Sequence, residues 1–431
     1  MGPGPGSASE LDPTGLARRY VRLGLRLDRV APGLLDAHLD VHPDPRPDPR
    51  PDDGAGPSVA REVAGEPRPD PAVLRRDAAA LRRELPSAGL GPARTAFLDA
   101  QLAALDVVAA RADGYRLGVV DEVRTCLGVA IGPGDPDAYA EAHRRLGDLL
   151  PGTDPLAARL AAFRARDRVP PERLGAAADA LRGALRERTA SAIGLPDGET
   201  VTVEVVDEAP WSGFSRYGST GSTVSVNAAA PQRVTALALL VAHEAYPGHH
   251  TEAARTEAAL RGGTAPPERA VLLARTPQSL VAEGTAELGL EALVGPGWGE
   301  WAADVLAPVL GRRPDGALGE AVEAAMDDLA GVRQDAVLLV HGTGAGADRE
   351  ERAVAHLRRW LLVDEERARR MLGFVAHPRW RIHTSTYVEG VRLLRPWLAA
   401  RPAGQPLVDR FRRLLDEPWT PTTLQPPASA A

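Results

Sequence analysis

Apolar residues recur at helical spacing through most of this chain and at strand spacing in one short stretch. Tyr20, Leu23, Leu25, Leu27, Val30 and Leu34 make a rough helical stripe, which predicts a helix over 12–41. Residues 71–192 carry roughly four to six further helical segments, broken at SAGLGP, GPGDPD, PGTDP and VPP. The segment 93–113, with Phe97, Leu98, Leu102, Leu105 and Val108, is the clearest amphipathic helix among them. At 200–206 the period shortens to two, Val alternating with polar residues, which predicts a strand; Thr223–Asn227 offers a second. Helices resume at Gln232 and run, with breaks, to about Leu415. The expected fold is mainly α, a large multi-helix body with a small β hairpin or sheet.

The same pass divides the chain. Residues 1–11 read as a disordered N-terminus and 12–195 as an N-terminal helical region. Within that region 41–58 alternates Pro with Asp and Arg, a density of proline that blocks helix and sheet alike. Residues 196–416 read as a second region packed with the first as one body, and 417–431 as a disordered tail.

Composition narrows the classes. The 431 residues are 44% hydrophobic and 25% charged, ordinary for a globular protein with a large core. A net charge of −7 argues against nucleic acid as the main partner. All 51 basic residues are arginine, which excludes every lysine-based mechanism. The single cysteine, Cys126, rules out an intramolecular disulfide and a thiolate metal cluster, and its apolar context VRTCLGVAI reads as core. The N-terminal residues lack the pattern of a signal peptide and no apolar run is long enough to span a membrane, so a cytoplasmic location is expected.

The chemistry concentrates in VTALALLVAHEAYPGHH, residues 234–250. On a helix, His-Glu-x-x-His puts two imidazoles on one face with the glutamate beside them as general base. Here the second histidine position is taken by Pro247, and on a regular helix His249 would lie about 240° around from His243. Pro247–Gly248 is, however, the dipeptide best able to break a helix. If those two residues bulge out, His249 returns to the required face; His250, about two turns from His243, is its rival. A zinc site needs a third protein ligand and a place for water. Glu283 and Glu287, one turn apart on the apolar segment SLVAEGTAELGLEAL, supply the candidates. Glu283 is assigned to the metal, and Glu287 as an acceptor that fixes the tautomer of a ligand histidine. Glu244 is the general base.

HEAYPGHH followed by an EG-x-x-E block resembles the DUF885 family of bacterial proteins, placed among zinc metallopeptidases that use a glutamate as third ligand. LARRYVRLGLRLDRVAPGLLDAHL, AYAEAHRRLGDLLPG, APWSGFSRYGSTGSTVSVN and HPRWRIHTSTYVEGVRLLRPWL extend the resemblance over about residues 15–416. It implies a helical zincin-like body holding one Zn2+ per chain through His243, His249 and Glu283. It also implies that Tyr387 donates to the oxyanion, that Arg381 does likewise or binds a substrate carboxylate, and that Arg333 and His341 line the cleft. Asn227, ending the strand before the metal helix, stands where a peptide backbone would be held. The chain departs from the pattern of that family at Thr285, Val337 and His383. Trp211 reads as a buried anchor, with substrate stacking as its alternative.

A zinc metallopeptidase acting on a peptide or small amide substrate is thus expected. The alternatives are a zinc hydrolase of a non-peptide amide or ester, and a helical scaffold with a structural metal.

Overall fold

The computed structural model describes residues 13–39, 59–207, 213–218, 221–343 and 346–424. The Pro/Asp-rich stretch expected at 41–58 and the N-terminal residues 1–11 lie outside these, as does Trp211. The fold is mainly α. Among the described residues no helix is long and apolar enough to cross a membrane.

Four apolar clusters hold the helices together. In the first, α1 (Pro13–Asp28), α2 (Val59–Gly65), α3 (Pro71–Glu84) and α4 (Pro92–Ala112) bury Leu16, Tyr20, Leu74, Phe97 and Leu102. In the second, α5 (Val119–Leu127), α6 (Pro136–Leu149) and α7 (Leu156–Arg166) pack against helices from the other end of the chain. These are α13 (Gly316–Asp327), α14 (Gly331–His341), α15 (Arg349–Leu361) and α16 (Glu365–Val375). The third joins α8 (Leu174–Ala192), α9 (Val234–Glu244) and α12 (Trp298–Leu310) to a small sheet. In the fourth lie α17 (Thr384–Ala399), α18 (Leu407–Asp416) and α19 (Pro421–Leu424). Early and late residues mix in one cluster after another, so the two sequence regions share their cores.

One helix touches three of the clusters. α11 (Pro277–Val294) gives Leu280 to the second, Leu290 to the third and Val281, Leu288 and Ala292 to the fourth. A helix packed on several sides must be apolar around most of its circumference. Its start is fixed by a capping box, in which Thr276 and Ser279 bond reciprocally, and by Gln101 Oε1, which accepts from the Gln278 amide at 3.1 Å. α11 meets α17 at Gly284 and Gly390. A Cβ on Gly284 would lie 2.6 Å from the Gly390 carbonyl carbon, so only glycine permits this backbone approach.

The sheet has the order β2–β4–β3. β2 (Val201–Val206) runs parallel to β4 (Gly221–Asn227), and β3 (Gly213–Gly218) pairs antiparallel with β4 on its other side. β3 falls in the Gly- and Ser-rich stretch where the apolar pattern gave no strand. It is an edge strand, and a Cβ on its Gly213 would meet Leu240 Cδ1 of α9 at 2.6 Å, so helix and strand lie in close contact.

Two expectations need correction. The first helix does not reach residue 41: it stops at Asp28, whose Oδ1 accepts from the amides of Leu34 (2.9 Å) and Leu35 (3.0 Å). Gly33, at φ 76°, completes that turn, and the chain leaves as β1 (Leu35–His38), antiparallel to β5 (Val271–Leu273). The tail is ordered further than its composition suggests: Thr420 and Leu424 are buried and α19 packs on the fourth cluster. Residues 425–431 lie outside the described residues.

Gly284→Ala should lower stability by about 1–3 kcal/mol, the usual cost of forcing a methyl group into a close-packed contact. Gly183→Ala, on α8 with nothing within 4 Å of the new Cβ, should be neutral or stabilising by up to about 1 kcal/mol. Denaturant unfolding of the two variants measures both.

Candidate metal centre

α9 ends at Glu244. The next residues turn through a cis Tyr246–Pro247 bond, and α10 (His249–Arg261) begins at His249. The turn is tight: a Cβ on Gly248 would sit 1.8 Å from the His243 carbonyl oxygen, and the Gly248 amide donates to Ala242 O at 2.9 Å. The two imidazoles therefore come from two helices meeting at an angle, one from the end of α9 and one from the start of α10.

They face each other with Nε2 atoms 3.1 Å apart. Glu283 Oε2, from α11, approaches His243 Nε2 at 3.4 Å and His249 Nε2 at 3.6 Å. This Oε2 is buried without a hydrogen-bond partner among the described residues. Two facing imidazole nitrogens share at most one proton, so three lone-pair atoms converge on a point that hydrogen alone cannot satisfy. Zinc bound tetrahedrally at 2.0–2.2 Å requires ligand atoms about 3.3–3.5 Å apart, and the point equidistant from these three lies about 2 Å from each. The donor set thus fits a divalent cation in size and type. Among the described residues no fourth His, Cys, Asp or Glu joins the cluster.

The surrounding groups are arranged about this triangle. Glu287, one turn along α11, places Oε1 3.4 Å from His243 Nδ1. Burial alone would raise the Glu283 carboxyl, but the two imidazoles outweigh it and hold it well below the ordinary range. Burial opposes protonation of His243 and His249, yet contact with Glu283 raises both. Tyr387 on α17 lies with its ring 6.2 Å from that of His243, and its hydroxyl is 2.9 Å from His383 Nε2. Burial, and then the carboxylates of Glu283, Glu287, Glu244 and Asp36, push the phenol well above its usual value, so it stays protonated.

His243, Glu244, His249, Glu283, Glu287, Arg333 and Tyr387 all border one cavity of about 1050 Å3. Its walls are β1, the edge strand β3, the α9–α10 turn and the segment from Phe374 to Tyr387. Phe214 on β3 and Phe374 are exposed at its rim, and Phe374 stacks on Trp380 with ring centroids 6.2 Å apart.

The structure places four other residues outside the roles expected of them. Arg381 is not on the cavity. It donates to Glu122, a carboxylate only 1% exposed, and to Leu117 O. His341 also lies off the cavity, with burial lowering its pKa, and its Nε2 has no partner among the described residues. Asn227 is buried and its Oδ1 accepts from the Ala229 amide at 3.0 Å, closing the turn after β4. His250 borders the cavity but bonds away from the triangle, Nδ1 to Ser222 Oγ and Nε2 to Glu199 Oε2, both at 2.8 Å. Tyr246 donates to the same Glu199, which Arg186 pairs from the other side. His250 and Tyr246 therefore staple the α9–α10 turn to the sheet, and His250 is no ligand.

Sequence reasoning missed Asp36, Glu199, Glu252, Phe374, Arg379 and Trp380. Asp36 sits on the unforeseen strand β1 and borders the cavity. Apart from the matched blocks, no local pattern marks any of the six.

No protein-family model matches the sequence, and no curated protein matches it. Among solved structures it is similar to a candidate lipoprotein from Colwellia psychrerythraea, at 16% identity and a TM-score of 0.47. That alignment covers 85% of this chain and 60% of the other, so the chain spans less than two thirds of that protein's length.

Arg381→Met should cost about 1–3 kcal/mol of stability, because it removes one of two arginines from a buried carboxylate that Arg111 still pairs. It should leave metal affinity unchanged. Denaturant unfolding and metal titration of the variant separate these two effects.

Proposed function

We propose that this chain is a zinc-dependent hydrolase that cleaves peptide bonds. The observation that carries the reading is the His243–His249–Glu283 triangle, sized for a tetrahedral cation and opening on the cavity beside Glu244. When bound, zinc would supply Lewis acidity and lower the pKa of a coordinated water to near 7. Every other task falls to side chains. Glu287 holds the His243 ring through Nδ1, leaving Nε2 as the ligand atom. Glu244, adjacent to His243, takes the proton from the attacking water and delivers it to the leaving nitrogen. Tyr387, kept as a phenol, donates to the oxyanion that develops on the carbonyl oxygen as its carbon is attacked. β3, the edge strand of the described sheet, borders the cavity and would lie alongside an extended peptide. The resemblance of HEAYPGHH to DUF885 agrees with this assignment. A purely structural metal would call for a fourth protein ligand, and among the described residues the triangle has none.

Elemental analysis of the zinc-reconstituted chain should find about one zinc per molecule. His243→Ala, His249→Ala and Glu283→Gln should each lose it, and His250→Ala should keep it. Failure of the unsubstituted chain to take up zinc would overturn the reading. Glu244→Gln should retain the metal while peptide hydrolysis falls by about 100- to 10,000-fold. Tyr387→Phe should lower kcat by about 10- to 1,000-fold with KM nearly unchanged, as expected for a donor that acts only as charge develops.

A further inference from the structure

The Tyr387 hydroxyl carries one hydrogen, and the reading above directs it to the oxyanion. Yet the hydroxyl already has a partner, because His383 Nε2 lies 2.9 Å from it. No other hydrogen bond to this hydroxyl occurs among the described residues. A phenol can donate once and still accept, whereas each nitrogen of a neutral imidazole does only one of the two. The direction of this one bond therefore decides what Tyr387 can do. If the phenol donates to Nε2, its hydrogen is taken. If Nε2–H donates to the phenol oxygen, that hydrogen is left for a substrate in the cavity that both residues border.

The surroundings of His383 hold its ring in one place. It caps the start of α17, and Tyr387 follows four residues later, the spacing at which side chains on one helix meet. The His383 amide donates to the Trp380 carbonyl at 2.9 Å. Its own carbonyl accepts from the Thr386 amide at 2.9 Å and from the Thr386 hydroxyl at 2.6 Å. The rings of Trp380 and Phe374 stand across the imidazole at centroid distances of 5.9 and 6.2 Å, and the Tyr387 ring meets it edge-on at 5.1 Å. Nδ1, by contrast, makes no hydrogen bond among the described residues. The tautomer of a histidine follows from the bonds its two nitrogens make. No protein acceptor draws the proton to Nδ1 among the described residues, and at Nε2 the phenol oxygen is in place to accept it.

We propose that His383 is a positioning residue that donates from Nε2–H to the Tyr387 oxygen and so turns the phenol hydrogen toward the cavity. The proposal rests on the role given to Tyr387 in the peptidase reading. The bond fixes the rotation of the hydroxyl about its C–O axis. It also strengthens the phenol as a donor while the oxyanion forms, because hydrogen bonds in a chain polarise one another. Neither residue gives up a proton: His383 keeps Nε2–H and Tyr387 keeps O–H throughout.

The first test is ring-nitrogen NMR of the full chain, made with isotope-labelled histidine and supplied with zinc. The His383 signals are those lost in His383→Gln. Nε2 should be the protonated nitrogen, and Tyr387→Phe, which removes its acceptor, should shift that resonance. An unprotonated Nε2 overturns the proposal, and in a chain that cleaves peptides it leaves the peptidase reading intact. The second test uses a mixed pool of short synthetic peptides, with kcat and KM measured on the one cleaved best. His383→Phe should lower kcat by about 3- to 10-fold with KM nearly unchanged, the value of one ordinary hydrogen bond. In the Tyr387→Phe background the same change should cost nothing more, since a group acting through the phenol then has nothing to act on. His383→Gln, whose amide can donate from a similar place, should recover most of the loss. An equal loss with and without the phenol overturns the proposal. If the unsubstituted chain cleaves no peptide, the peptidase reading falls, and the NMR result alone decides the direction of the bond.

Discussion

A carboxylate held in an apolar interior governs how this molecule is built. α11 is surrounded by three apolar clusters and must be hydrophobic nearly all the way round, yet it carries Glu283 inward. Ionised and alone, that group would be very unfavourable. Two imidazoles brought from the α9–α10 turn make its charge tolerable, and burial, which would otherwise protonate it, is overruled. Much else follows from aligning those three groups. Gly248 lets the chain double back under the His243 carbonyl, the capping box fixes where α11 starts, and the network of Glu199, His250, Tyr246 and Arg186 anchors the turn to the sheet.

The helical character and the two strands at β2 and β4 were legible because local periodicity is strong there. β1 and β5 were not, because each is short and pairs with a distant partner, and β3 was not, because its Gly- and Ser-rich sequence carries no apolar alternation. Leu35, for instance, pairs with Leu273. The first helix was read too long for a related reason: Asp28 turns the chain by accepting two amides, and a hydrophobic stripe does not register a side chain that caps a turn. Between Glu244 and His249 the sequence pointed to a helix break, and there the structure has a turn joining two helices.

The candidate site was legible where its chemistry is contiguous. His243, Glu244, His249, Glu283 and Glu287 occupy two compact motifs, and the fold gathers them. The residues taken from more distant blocks fared unevenly. Tyr387 and Arg333 face the cavity. Arg381 serves Glu122, His341 lies off the cavity, and Asn227 closes a turn, since matching a block says nothing about which side of a helix or loop faces the cleft. Asp36 and Glu252 escaped notice because nothing in the residues beside them marks an acidic side chain as facing a cavity.

The two halves of the site differ in how far along the chain they must be collected. All three donors of the triangle fall within residues 243–283, one stretch running from the end of α9 through α10 and β5 to the front of α11. The cavity wall around it draws on residues as far apart as Asp36, Arg333 and Tyr387. Contacts between residues close in sequence need little loop closure, whereas distant ones wait for most of the chain to be ordered. The donor triangle thus belongs to one local segment, whereas the cavity around it is assembled only by the completed fold.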